Sequence, residues 1–146
     1  MIRMVLAVGA VALGITVVAA QSDPIAARKA LMKANGDQAK IGTAMVKGEA
    51  PFDGAKVQTM FATFIDAAGK FGALFPENSK AGGDTEALPK VWEDKAAFDA
   101  RLTKFGAEAK AAQTSVKDAD SLKAVWGGFT KNNCGGCHET YRKKKS

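Results

Sequence analysis

From Asp23 onward the apolar residues of this chain recur at spacings of three and four, and nowhere do they alternate over a strand length. That rhythm stacks side chains on one stripe of an α-helix, whereas a half-buried strand needs a period of two. Val57, Phe61, Phe64, Ala68, Phe71 and Phe75 form one such stripe. Val91, Lys95, Phe98, Leu102, Phe105, Ala109 and Ala112 form another, and the single lysine can lay its aliphatic stem along the apolar face. Leu122, Trp126 and Phe129 form the start of a further one. The chain is therefore expected to be all-α.

Clusters of Gly and Pro divide it into four helical segments. The first runs from Asp23 to Lys47, with Ser22 or Asp23 as the capping acceptor, Pro24 at the first helical position and Gly48 at the end. The second spans Gly54 to Phe75 and is closed by Pro76. The stretch ENSKAGGDTEAL, from Glu77 to Leu88, has a Gly82-Gly83 pair and no periodicity, so it reads as a connection. The third segment runs from Pro89 to Val116, and the fourth from Ala119 into the terminal lysines, of which Lys143, Lys144 and Lys145 are expected to fray into solvent. Helices of about 33–42 Å joined by mostly short links pack best as an antiparallel up-down four-helix bundle. Ahead of them, residues 1–20 read as a cleaved signal peptide, with Arg3, an apolar run from Val5 to Val18 and the small pair Ala19-Ala20 before Gln21. The expected product is an exported single domain, residues 21–146, with no stable membrane insertion after cleavage.

Few residues can carry chemistry. One His and two Cys exclude a disulfide-rich scaffold and a four-ligand zinc site built from Cys and His alone. Lys and Arg number 21 against 15 Asp and Glu, a formal charge of +6, too modest and too dispersed for a nucleic-acid groove. What remains is Cys134-Gly135-Gly136-Cys137-His138, the C-x-x-C-H pattern of covalent haem c attachment. On a helix, residues three and four apart share a face, so both thiols and the imidazole can meet one macrocycle. Each thiol would add across a vinyl group to form a thioether, and His138 would bind the iron. A thioredoxin-like dithiol would follow a strand at a helix N-terminus, and this motif does neither. A structural disulfide would close almost no loop.

With no second histidine, the opposite face of the iron falls to Met, Lys, an exogenous ligand or nothing. Beyond the signal peptide the methionines are Met32, Met45 and Met60. In an up-down bundle the start of the first helix lies beside the end of the last; Met32 is about 13 Å along the first helix and His138 about 10 Å from the chain end at 1.5 Å per residue. Their levels match, whereas Met45 and Met60 fall at the far end. A methionine on an apolar face also commonly serves as core filling. Arg28, one turn before Met32, is placed to pair with a haem propionate, its alternative being a solvated surface arginine.

The sequence resembles the cytochrome c prime family, exported four-helix bundles with haem attached near the C-terminus. The stretches that carry the resemblance are CGGCH followed by Tyr141 and Arg142, ARKALMKANG, GEAPFD, LFPENSKAGGDTEALPKVWED and KAAFDA. It implies one haem c bound through Cys134 and Cys137, axial His138, a haem-edge arginine at Arg28, and Thr85 and Glu86 of the long connection against the macrocycle. Typical high-spin members carry an apolar residue such as Leu where this chain has Met32, leaving the iron open to small gases. A methionine there resembles the low-spin cytochrome c-556 branch. Relatives often pair through their first two helices, so a homodimer is compatible with the resemblance.

Two functions follow as expectations. In the first the protein is a periplasmic electron carrier with His138 and Met32 on the iron, and Lys131, Arg142 and Lys143 to Lys145 steer an acidic periplasmic redox protein. In the second, Met32 stays off the metal and the chain binds nitric oxide or carbon monoxide. No acid, base and nucleophile set accompanies the motif, so enzymatic turnover is not expected.

Overall fold

The computed structural model describes residues 23–144, so the signal-peptide expectation and Lys145 lie outside the described residues. Helix α1 spans Pro24–Lys47, α2 Gly54–Phe71, α3 Lys90–Glu93, α4 Lys95–Ser115, α5 Ala119–Phe129 and α6 Gly136–Tyr141. Local chemistry sets most of these bounds. The Asp23 carboxylate accepts from the Ile25 amide at 2.8 Å, and Gly48 ends α1 in the left-handed region, at φ 74°. Only glycine adopts that conformation without a Cβ penalty. Asp53 caps α2, and Asp118 caps α5 through a reciprocal box with Ser121.

Three boundaries differ from expectation. The second segment stops being α-helical at Phe71 and tightens into a 3₁₀ turn over Gly72–Leu74. The third is broken at Asp94, whose φ of −133° and ψ of 57° leave the helical region while its carboxylate caps α4. An aspartate offers the backbone a non-helical alternative, and four residues of α3 are too few to resist it. The fourth contains a π-helical turn, Thr130–Gly135, between α5 and α6.

Helix α1 packs on α2 and α5, α2 on α4, and α4 on α5, which closes the four-helix ring expected of an up-down bundle. One core cluster joins Met45, Val57, Met60, Phe61, Phe64, Ala109, Leu122, Trp126 and Phe129. A second joins Phe75, Val91, Phe98, Leu102 and Tyr141. The close approach of α1 to α5 depends on Gly42, where a Cβ would lie 2.6 Å from the Trp126 ring and 2.7 Å from the Met60 sulfur. Among the described residues, no helix is long and apolar enough to cross a membrane.

The chain end does not fray at Lys143. Residues 141–143 fold back on the connection: Ala87 and Arg142 form an antiparallel bridge, the Leu88 amide donates to Tyr141 at 2.9 Å, and the Lys143 amide donates to Glu86 at 2.8 Å. The Lys143 ammonium adds a bond to the Thr85 carbonyl at 3.2 Å. These contacts span more than fifty residues of sequence and leave no trace in local composition.

Candidate functional site

The C-x-x-C-H motif sits where the last helix changes its winding. Over Thr130–Gly135 the backbone bonds follow the wider π pattern, and α6 then begins at Gly136. Asn133 braces this turn, its amide nitrogen donating to the Phe129 carbonyl at 3.0 Å and to Glu108 on α4 at 2.6 Å. Single π turns inside helices concentrate at functional sites because the inserted residue re-aims its neighbours. Simple α-helical spacing therefore does not describe Cys134, yet Cys134, Cys137 and His138 all line one cavity.

That cavity measures about 610 Å³, within the 300–1,000 Å³ typical of small-molecule and cofactor sites. Phe64 and Phe71 of α2 and Phe98, Leu102 and Phe105 of α4 supply much of its apolar wall. Its remaining sides come from Met32 on α1, from Thr85 and Glu86 of the connection, and from the motif itself. Every residue singled out from the sequence as a haem or iron contact thus faces the same space: Arg28, Met32, Thr85, Glu86, Cys134, Cys137 and His138. Met45 and Met60 lie in the first core cluster and not in this lining.

Electrostatics differ sharply around the wall. No disulfide joins the two cysteines. Burial pushes the Cys134 thiol up, with the neighbouring Cys137 adding to the effect. Burial also raises Cys137, against the opposing pull of Arg101. Arg28 is only 4% exposed, which removes the reading of a solvated surface arginine. Its guanidinium donates to the Leu74 carbonyl and the Ser79 hydroxyl at 3.0 Å each, to the Ser79 carbonyl at 2.9 Å and to the Thr85 hydroxyl at 2.6 Å. It also lies 4.7 Å from the Phe75 ring centre, a cation–π distance. Burial lowers its pKa and Asp23 partly restores it.

Two lining residues are not among the haem or iron contacts expected from the sequence, where Arg142 is read only as part of a basic patch. Asn35 Oδ1 and Arg142 Nε are buried without a hydrogen-bond partner. Glu86 approaches the latter only to 3.9 Å, too far for a hydrogen bond. Spacing could have found both, since Asn35 follows Met32 by three residues and Arg142 follows His138 by four. Both residues line the cavity, so its wall holds buried polar atoms whose hydrogen bonding is incomplete. An aromatic slot with two thiols, an imidazole, a thioether and cationic edges suits a flat apolar macrocycle bearing carboxylates. Haem c therefore fits the residues present. A second groove of about 560 Å³, between α2 and α4, contains none of the expected site residues.

Comparison with known proteins agrees. Residues 23–142 match the family model described as Cytochrome C'. The chain is 50% identical over 145 residues to cytochrome c' of Rhodopseudomonas palustris, covering 99% of each chain. It is 34% identical over 149 residues to cytochrome c-556 of the same organism, again covering 99% of each. The solved structure of cytochrome c' from Rhodopseudomonas palustris superposes with a TM-score of 0.82 at 52% identity, covering 86% of this chain and all of that one. With the fold, the cavity and both sets of matches in agreement, the chain belongs to the cytochrome c' family, whose members bind one covalent haem c per chain.

Proposed function

We propose that this protein is a periplasmic electron carrier in which Cys134 and Cys137 hold the haem, and His138 and Met32 bind the iron from its two faces. The haem supplies one-electron exchange at iron. The chain supplies fixed ligands, an aromatic wall that keeps water from the metal, and an edge formed by Arg28, Thr85 and Glu86. The observation that carries this reading is the thioether of Met32 in the same cavity as His138 and both thiols. Methionine opposite histidine raises the reduction potential relative to a second histidine. Keeping one ligand set in both oxidation states limits the reorganisation that opposes transfer. An acidic redox protein would dock beside Lys131, Lys143 and Lys144, all exposed.

A second reading has its own support, since identity to cytochrome c' exceeds that to cytochrome c-556. In it Met32 stays off the iron, or yields readily, and the cavity admits nitric oxide or carbon monoxide. The visible spectrum of the oxidised holoprotein separates the two. A methionine–iron(III) charge-transfer band is expected, and Met32→Ala should abolish it and open the reduced protein to rapid carbon monoxide uptake. A high-spin wild-type spectrum would reverse the conclusion in favour of gas binding.

A further inference from the structure

The connection from Gly72 to Pro89 is tied at both ends to the walls that carry the candidate axial ligands. On one side Arg28 grips it at Leu74, Ser79 and Thr85 with four hydrogen bonds. Ser79 and Thr85 are themselves buried. Ser79 adds a bond to the Pro76 carbonyl at 2.8 Å, and the Thr85 hydroxyl accepts from the Ala87 amide at 3.2 Å. Trp92 secures the start of the strap by donating to the Phe75 carbonyl at 2.9 Å. On the other side Glu86 to Leu88 pair with Tyr141 to Lys143.

The two anchor points are not arbitrary. Arg28 lies one turn before Met32 on α1, and Tyr141 and Arg142 lie one turn after His138. Strain or slack in the strap therefore acts on both walls of the cavity within one helical turn of each ligand. A guanidinium has the planar fork to hold several oxygens at fixed angles, which an ammonium lacks.

Building on the proposed His138 and Met32 ligation, we infer that Arg28 is a positioning residue: by buckling the connection to α1, it holds the Met32 wall in register with the His138 wall and keeps the sixth coordination position closed. It need not touch the haem to do so.

The experiment uses the purified holoprotein and three variants, Arg28→Lys, Arg28→Gln and Ser79→Ala, with added imidazole as the competing ligand. Ser79 lines no part of the cavity, so its variant trims the strap alone. The expected result is a weakened methionine–iron band in both Arg28 variants and an imidazole affinity higher by about tenfold or more, because the open state becomes more populated. Ser79→Ala should fall between them and wild type. Amide exchange at Ser79 and Thr85 should quicken in step, a readout independent of the iron. Should Arg28→Gln not assemble, Arg28→Lys and Ser79→Ala decide. An Arg28→Lys protein with wild-type band and affinity would reduce Arg28 to a bare charge and overturn the inference. So would Ser79→Ala with quickened exchange but unchanged imidazole affinity. A wild-type spectrum lacking the methionine band would instead overturn the ligation, and this inference with it, so the two failures are told apart.

Discussion

Helix propensity and packing make opposite predictions for Gly42→Ala. Alanine in a helix interior is favoured over glycine by about 0.8–1.0 kcal/mol, so from sequence alone this substitution should stabilise. In the bundle, however, the new methyl would sit 2.6 Å from Trp126 and 2.7 Å from the Met60 sulfur. Neither neighbour has room to retreat. Met60 is fully buried, and Trp126 is 4% exposed, with its indole N–H bound to the Thr43 hydroxyl at 3.2 Å and its ring packed against both Phe64 and Phe129. Overpacking of this kind costs about 1–3 kcal/mol. Subtracting the propensity gain leaves a net loss of about 0–2 kcal/mol, so the stabilisation expected from propensity alone should not be seen. Gly69→Ala serves as the control, because nothing lies within 4 Å of the added methyl, and it should gain about 0.8–1.0 kcal/mol. Urea unfolding of the holoproteins, followed by far-ultraviolet circular dichroism and compared at constant slope, measures both. A Gly42→Ala protein stabilised as much as Gly69→Ala would refute the claim that α1 and α5 meet at this glycine.

Other outcomes follow from the same structure. Phe98→Ala empties a 1%-exposed position at the junction of the second core cluster and the cavity wall, and should cost about 3–5 kcal/mol in the same urea assay. The Asp118 carboxyl is held below its ordinary range by the Ser121 hydroxyl and backbone amide. A carboxyl depressed in the folded state contributes stability above its unfolded pKa, about 3.9, and loses it as pH falls through the folded value. Asp118→Asn should therefore lower stability near neutrality, leave it close to wild type at the acid end, and so flatten the acid limb of a stability–pH profile measured by urea unfolding. Cys134→Ser should yield a holoprotein with one thioether, read as a shifted band in the reduced pyridine-complex spectrum, if Cys134 and Cys137 each hold one vinyl group.

The helices, and the Asp23 and Gly48 ends of α1, were legible because they depend on neighbours within a turn or two; the Asp53 and Asp118 caps are equally local but are not among the expectations drawn from the sequence. Asp23, Gly48, Asp53 and Asp118 mark the ends of α1, α2 and α5 through contacts no more than four residues away. Stripe periodicity likewise named the core aromatics, and the C-x-x-C-H spacing named the motif. Level-matching by helical rise placed Met32 at the height of the motif, and the two do line one cavity, since rise per residue is a constant of the backbone.

Other features depend on segments that meet only after folding. The sequence pattern treated Arg28 as one residue on a helix face, but its partners are Leu74, Ser79 and Thr85, 46 to 57 positions away. Lys143 belongs to a basic tail by composition, yet Glu86 and Thr85 hold it in place. The π turn before Cys134 is braced from α4 by Glu108, and the orphaned atoms of Asn35 and Arg142 acquire meaning only beside a shared cavity. Hydrogen bonding to distant oxygens and exclusion of water are properties of an assembled interior, which no periodicity encodes. Residue chemistry and spacing thus determined which elements form and which groups can bind haem, and three-dimensional packing decided how those groups are held.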